Sequence, residues 1–165
     1  MQNAKDTFYE VLRGRLATLN PGRTTVVRGV TRPGVLVAEN ELPNAVAVVD
    51  CFVVRWDEVK WDGAGAMPLV RLGCEISYVT AGSAENGGMD RGRTLAAMDA
   101  ELLTALSGEP QWAVKMSYSA DGAPVAMRTR IWWGDVELGE AKAAGDRLQR
   151  TVTIAVMSFE EAGEL

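Results

Sequence analysis

From Leu69 to Thr80 the chain alternates. Val70, Leu72, Cys74, Ile76 and Tyr78 are separated by Arg71, Gly73, Glu75 and Ser77. A period of two marks a strand with one face buried and the other open. Such a strand needs partners in a sheet and a layer packed on its apolar side. Candidates for that layer lie on either side of it in sequence. In Ala4–Leu19, Phe8, Val11, Leu12, Leu16 and Leu19 recur at helical spacing, with Lys5, Glu10, Arg13 and Arg15 elsewhere on the wheel. Asn20-Pro21-Gly22 ends this helix, since proline cannot continue the hydrogen bonding and glycine accepts a left-handed turn. A second helix is predicted from a cap at Asp90 or a neighbour to about Ser107, where Gly108-Glu109-Pro110 closes it. Leu95, Met98, Leu102 and Leu106 form its stripe, with Leu103 beside it.

The remaining segments read mostly as strands. Val26, Val27 and Val30, then Val35 to Val37, flank the turn signal Arg32-Pro33-Gly34. After a polar break at Asn40–Asn44, Ala45 to Trp56 is apolar on both parities, which suits a strand covered on both faces. Trp61–Pro68 is a glycine-rich connection, and Thr80–Gly88 has the composition of a surface loop. Trp112–Tyr118, Val125–Trp133 and Thr151–Met157 are three further strands, the first two joined by a hairpin connection at Ser119–Gly122. The stretch from Val136 to Leu148 is either a short helix or a loop. Helix, strands, helix, strands in that order predicts an α+β fold, with a mostly antiparallel sheet and two main helices packed on one face. Neither an internal repeat nor a linker is visible, so residues 1–165 read as a single domain.

Composition narrows the chemistry. Of 165 residues 47% are hydrophobic, which excludes a disordered chain, and two cysteines exclude a disulfide scaffold. Seventeen basic against 22 acidic residues gives a net charge of −5, and there is no histidine. Without histidine, Ser-His-Asp and Cys-His nucleophile systems cannot be built, and two cysteines cannot complete a structural zinc site. No GxxxxGK[ST] loop occurs, and Asp62-Gly63-Ala64-Gly65 does not meet GxGxxG. Asp57, Glu58 and Asp62, like Glu160 and Glu161, lack the spacing of a calcium loop and read as solvated turns. Catalytic residues, cofactors and metals are therefore not expected. The first twenty residues lack the apolar core of a signal peptide, and no apolar run is long enough to span a membrane. Cys51 and Cys74 read as two buried thiols of a reducing compartment, a disulfide between them being the alternative.

Aromatic and basic residues carry the remaining signal. Trp56 and Trp61 bracket a turn at Asp57–Lys60. Trp132 and Trp133 are consecutive, so in a strand one faces the core and the other faces solvent or a partner. The pairs Arg13/Arg15, Arg91/Arg93 and Arg128/Arg130 read first as solvated faces, and second as partners for acidic patches on a neighbouring subunit.

One whole-chain pattern stands out. An N-terminal amphipathic helix (Asp6–Leu19) runs into Pro21-Gly22. Strand pairs with Arg32-Pro33-Gly34 and Leu42-Pro43 follow, then a strand–polar loop–helix passage from Leu69 to Leu106, and a last strand group ending in Arg150-Thr151-Val152-Thr153-Ile154-Ala155-Val156. This resembles the tail terminator (tail completion) proteins of tailed phages and prophages, over most of the chain. The resemblance implies a head–tail junction protein without enzymatic activity, one that self-assembles into a ring, hexameric in family members. Its partners would be itself, the tail-tube proteins and the head-completion proteins, with no specific nucleic acid and no membrane. It would reside in the bacterial cytoplasm during virion assembly and in the virion tail thereafter. A ring subunit needs unlike surfaces that close on each other. The loops Trp61–Pro68 and Thr80–Arg93 and the exposed tryptophan supply the candidate interface: Trp61, Met67, Met89, Arg91, Arg93 and Trp132. Two other classes compete. A small-ligand-binding or enzymatic α+β domain would use Asp57, Trp61 and Trp132 around a deep pocket at the sheet mouth. A nucleic-acid-binding module would set the aromatic rings in a basic groove.

Overall fold

The computed structural model describes residues 1–41, 48–62, 67–82, 89–118, 122–161 and 164. Helix α1 (Gln2–Leu19) leads into a hairpin of β1 (Thr24–Val27) and β2 (Val30–Pro33). Its tight turn holds Arg28 and Gly29 at φ of 51° and 81°, the left-handed pair that a two-residue hairpin loop needs. Next come β3 (Val35–Val37), a single helical turn α2 (Ala38–Glu41), β4 (Phe52–Asp62) and β5 (Leu69–Thr80). Helix α3 (Asp90–Ser107) precedes β6 (Trp112–Ser117), β7 (Val125–Leu138), β8 (Lys142–Ala144) and β9 (Arg147–Phe159).

The main sheet runs β3-β4-β5-β9-β7-β6, with β8 against β9, while β1 and β2 form a separate two-stranded ribbon. All named strand pairs are antiparallel except β3 with β4. The fold is α+β, mostly antiparallel. Strand β5 is buried at Val70, Leu72, Cys74, Ile76 and Tyr78, as its alternation requires, and these side chains form one core with both long helices. Phe8 of α1 meets Trp56 and Trp133 edge-on, with ring centroids 5.9 and 5.6 Å apart. Each large apolar side chain so buried contributes about 1.5–3 kcal/mol. Both cysteines are buried free thiols, and burial pushes the Cys74 thiol far above its ordinary value.

Polar contacts join the helices. Arg15 is no solvated residue: its guanidinium donates to the carbonyls of Ala105 (2.9 Å), Gly108 (2.6 Å) and Pro110 and lies over the Trp133 ring. It thereby serves carbonyls at the end of α3, where a cation is favoured. Arg23, beyond the end of α1, grips Glu101 of α3 through two bonds of 2.8 and 2.9 Å, and Asn20 adds a third at 2.9 Å. Burial raises the Glu101 carboxyl's pKa, but the bonds from Arg23 and Asn20 outweigh it and hold the group below its ordinary value.

Several expectations are corrected. The Asp57–Lys60 segment is no turn: β4 continues through it with a bulge between Trp56 and Val59. One extra residue there shifts the parity of all that follows. Strand β4 starts at Phe52 rather than in the Ala45 region, and residues 45–47 lie outside the described ones. The stretch after Val136 is neither helix nor simple loop, since β7 runs to Leu138 and β8 turns back through Gly145 (φ 64°) into β9. The cap position of α3 falls on Met89, the neighbour of Asp90 and within the expected range, and it makes no side-chain cap bond.

Candidate functional site

Helices α1 and α3 cover one face of the sheet, and the other face, beyond the part buried at Leu36 and Val53, carries the surface chemistry. Cross-strand register arranges it in rows. One row is Lys60, Arg71, Met157, Trp132 and Trp112, from β4 across to β6. The next holds Gly73, Ala155 and Gly134, a line of small residues. Beyond it lie Arg55, Glu75, Thr153 and Glu137. Bulges in β4 and β7 swing Asp57, Glu58 and Asp135 towards the small row. The result is a ridge beside a trench, a shallow depression of about 190 Å³ that runs over Ala155 and ends at Gly73. At Gly73 an added Cβ would stand 3.2 Å from the backbone nitrogen of Glu58, so the trench is closed there by close backbone approach.

Charges on this face are partly paired. Lys60 contacts Glu58 at 2.8 Å and Arg71 contacts Asp135 at 3.0 Å. Among the described residues Arg55, Asp57, Glu75, Arg128, Arg130 and Glu137 join no ion pair. Arg130 stacks over Trp112 at 4.1 Å, and Trp132 tilts against Phe159 at 5.5 Å. Trp112 is 41% and Phe159 39% exposed, an aromatic area at one end of the face.

One strand edge, that of β6, is also partly open. Trp133 donates to Gln111 and Ala113 pairs with Ile131, so by the antiparallel rule the peptide groups of Trp112, Val114 and Met116 face away from β7. Thr7 of α1 accepts from the Met116 amide at 2.9 Å, which blunts that end of the edge. The separate β1–β2 ribbon, which leads into β3, exposes Val26 (66%) and Val30 (63%).

A third cluster is buried. Lys115 points inward from β6, fully covered, donating to the Phe159 carbonyl and to Glu164. The amino group of Met1 lies 2.8 Å from Glu160. Glu161 accepts from the amides of Arg128 and Thr129 and from the Thr129 hydroxyl, the last bond the main cause of its depressed pKa. Burial raises the Glu164 carboxyl, yet its bonds from Lys115 and the Glu161 amide hold it below its ordinary value. Glu160 and Glu161 are thus bound groups, not the solvated pair expected.

The structure does not bring the six candidate interface residues together. Trp132 faces outward in the ridge, while Trp133 is buried and donates to the Leu106 carbonyl at 3.0 Å. Trp61, opposite Val70, has the parity of the helix-bearing face, and Met67 precedes β5; both are exposed. Met89, Arg91 and Arg93 cluster at the start of α3, beyond the far end of β5 from Met67. Residues 63–66 and 83–88 of the two predicted loops lie outside the described residues. Asp57 and Trp132 share the outer face, but Trp61 does not. Among the described residues no group of three or more Cys, Asp or Glu is placed to hold a metal, and no helix is long and apolar enough to cross a membrane.

No family model matches the chain, and no curated protein matches it as a relative. What sequence reasoning missed is the trench and Lys115. Gly73 within the alternating strand and a lysine set inward between Val114 and Met116 were the available signals.

Proposed function

We propose that the chain is a structural subunit of the tail terminator kind, a ring protein that caps a phage or prophage tail tube and offers the head-joining surface. The reading rests on the residue pattern from Asp6 to Val156 and on one structural observation. Unlike surfaces stand at two places: exposed valines on the separate β1–β2 ribbon, which leads into the end strand β3, and the partly open edge of the other end strand, β6. Two unlike surfaces are what a head-to-tail contact needs in order to close into a ring. An isolated two-stranded ribbon is marginal in water, so a neighbour that pairs with it adds stability to both. The exposed edge of β6 has backbone groups able to accept such a strand.

Light scattering over a concentration series, followed by electron microscopy with purified tail tubes, tests the reading. The expected result is a concentration-dependent ring and rings seated on tube ends. A strict monomer at high concentration that leaves tube ends bare overturns it.

A further inference from the structure

We propose that the uncovered sheet face binds the same face of a second copy, about a two-fold axis running across the strands between the ridge and the trench. The inference goes beyond the ring reading, since it uses the sheet face and leaves the β6 edge and the β1–β2 ribbon free. A rotation about such an axis lays each strand over its own copy, running the opposite way, and exchanges the two rows. Ridge then meets trench twice. Met157 stands over Ala155, and Trp132 stands over Gly134, where an added Cβ meets nothing within 4 Å. Lys60 stands over the bulge that carries Asp57 and Glu58.

Charge follows the same operation. Arg130 and Glu137 lie on one strand, β7, on either side of the axis, so each faces the other's copy. Neither has an ion-pair partner among the described residues of its own chain. The surface is therefore complementary to itself in shape and in sign, which an isologous contact requires and a randomly decorated sheet face does not provide. Stacked sheets sit about 10 Å apart, a spacing that large side chains opposite small ones fill. Trp112 and Phe159, exposed at the rim, become the apolar border of the contact.

Charge exchange tests this. The acid-reversed variant carries Asp57→Lys and Glu137→Arg, and the base-reversed variant carries Lys60→Glu and Arg130→Glu. All four residues are exposed, so both variants fold, which circular dichroism and thermal melting check. Sedimentation velocity at low salt should show paired wild type and two variants that each dissociate at least tenfold more readily. Mixing the variants one to one should restore pairing, because one chain is then basic and the other acidic at these four positions and opposite charges meet at every contact. Wild-type pairing should weaken as salt rises. A wild type that stays monomeric, or variants whose association is unchanged and whose mixture gains nothing, overturns the proposal. Association above the dimer that ignores these charges would do so too, while leaving the ring reading intact. Pairing that obeys the exchange, with bare tail tubes, would overturn only the ring reading.

Discussion

The two faces of the main sheet are built from the same strands and differ in almost everything else. On the helix side, Val70, Leu72, Ile76, Ile131, Val152 and Val156 are fully buried, and a charged group that intrudes, Lys115, is matched by Glu164. On the open side, one row of large side chains runs beside one row of small ones, and several charges have no ion-pair partner among the described residues. The first face uses alternation to make a core. The second uses the other parity to make relief and charge pattern. The difference teaches that one period-two repeat can carry stability and recognition separately, so substitutions should sort by parity.

The largest effect should fall on the covered face. Phe8→Ala removes a ring wedged between Trp56 and Trp133 and should cost about 3–5 kcal/mol in denaturant unfolding. A loss below about 1 kcal/mol would show that this face is not the core. Next comes the buried pair. Glu164→Gln leaves Lys115 buried without its counter-charge and should destabilise by about 3 kcal/mol, whereas Lys115→Met combined with Glu164→Leu should be near neutral. If the single and double variants unfold alike, the pair is not coupled. Arg15→Ala strips hydrogen bonds from the end of α3, and a loss of about 1–2 kcal/mol is expected. Arg15→Lys should recover only part, because one ammonium cannot reproduce the planar fork.

Acid should act on the same buried end. The carboxyls of Glu161 and Glu164 lie below the ordinary value of 4.5 in the folded state. A depressed folded-state pKa gives stability that is present above the unfolded value and is lost as pH falls through the folded one. Amide protection factors at Arg128 and Thr129, with the intrinsic base-catalysed pH dependence divided out, should therefore fall below pH 4.5 and stay flat from there to neutrality. Protection that falls instead as pH rises above neutrality would contradict that sign. The smallest effect belongs to the open face. Glu75→Ala should change monomer stability by no more than about 0.5 kcal/mol.

Sequence reading reached the elements whose pattern is local. Both long helices and β5 are legible because their apolar residues repeat at 3.6 or 2 over many positions. It failed where a single residue changed the phase. The bulge after Trp56 moves Val59 and Trp61 onto the helix-side parity, so a continuous strand reads as a turn between two tryptophans. The alanine- and glycine-rich segment of β8 has no strand preference of its own and takes its form from pairing with β9. Arg15 could not be distinguished from Arg13, because its acceptors lie 90 or more residues away. The ridge and trench were invisible for the same reason. Gly73, Ala155 and Gly134 become one feature only when β5, β9 and β7 are laid side by side.

Gly134→Leu separates the two faces most directly. An added Cβ there meets nothing within 4 Å, so a side chain can start at Gly134 without a clash in the single chain and extend into the trench. Thermal melting and sedimentation on the same sample should show an unchanged midpoint at low protein concentration and lost pairing at high concentration. A lowered midpoint with pairing intact would contradict the claim that one face stabilises the fold and the other recognises a second copy.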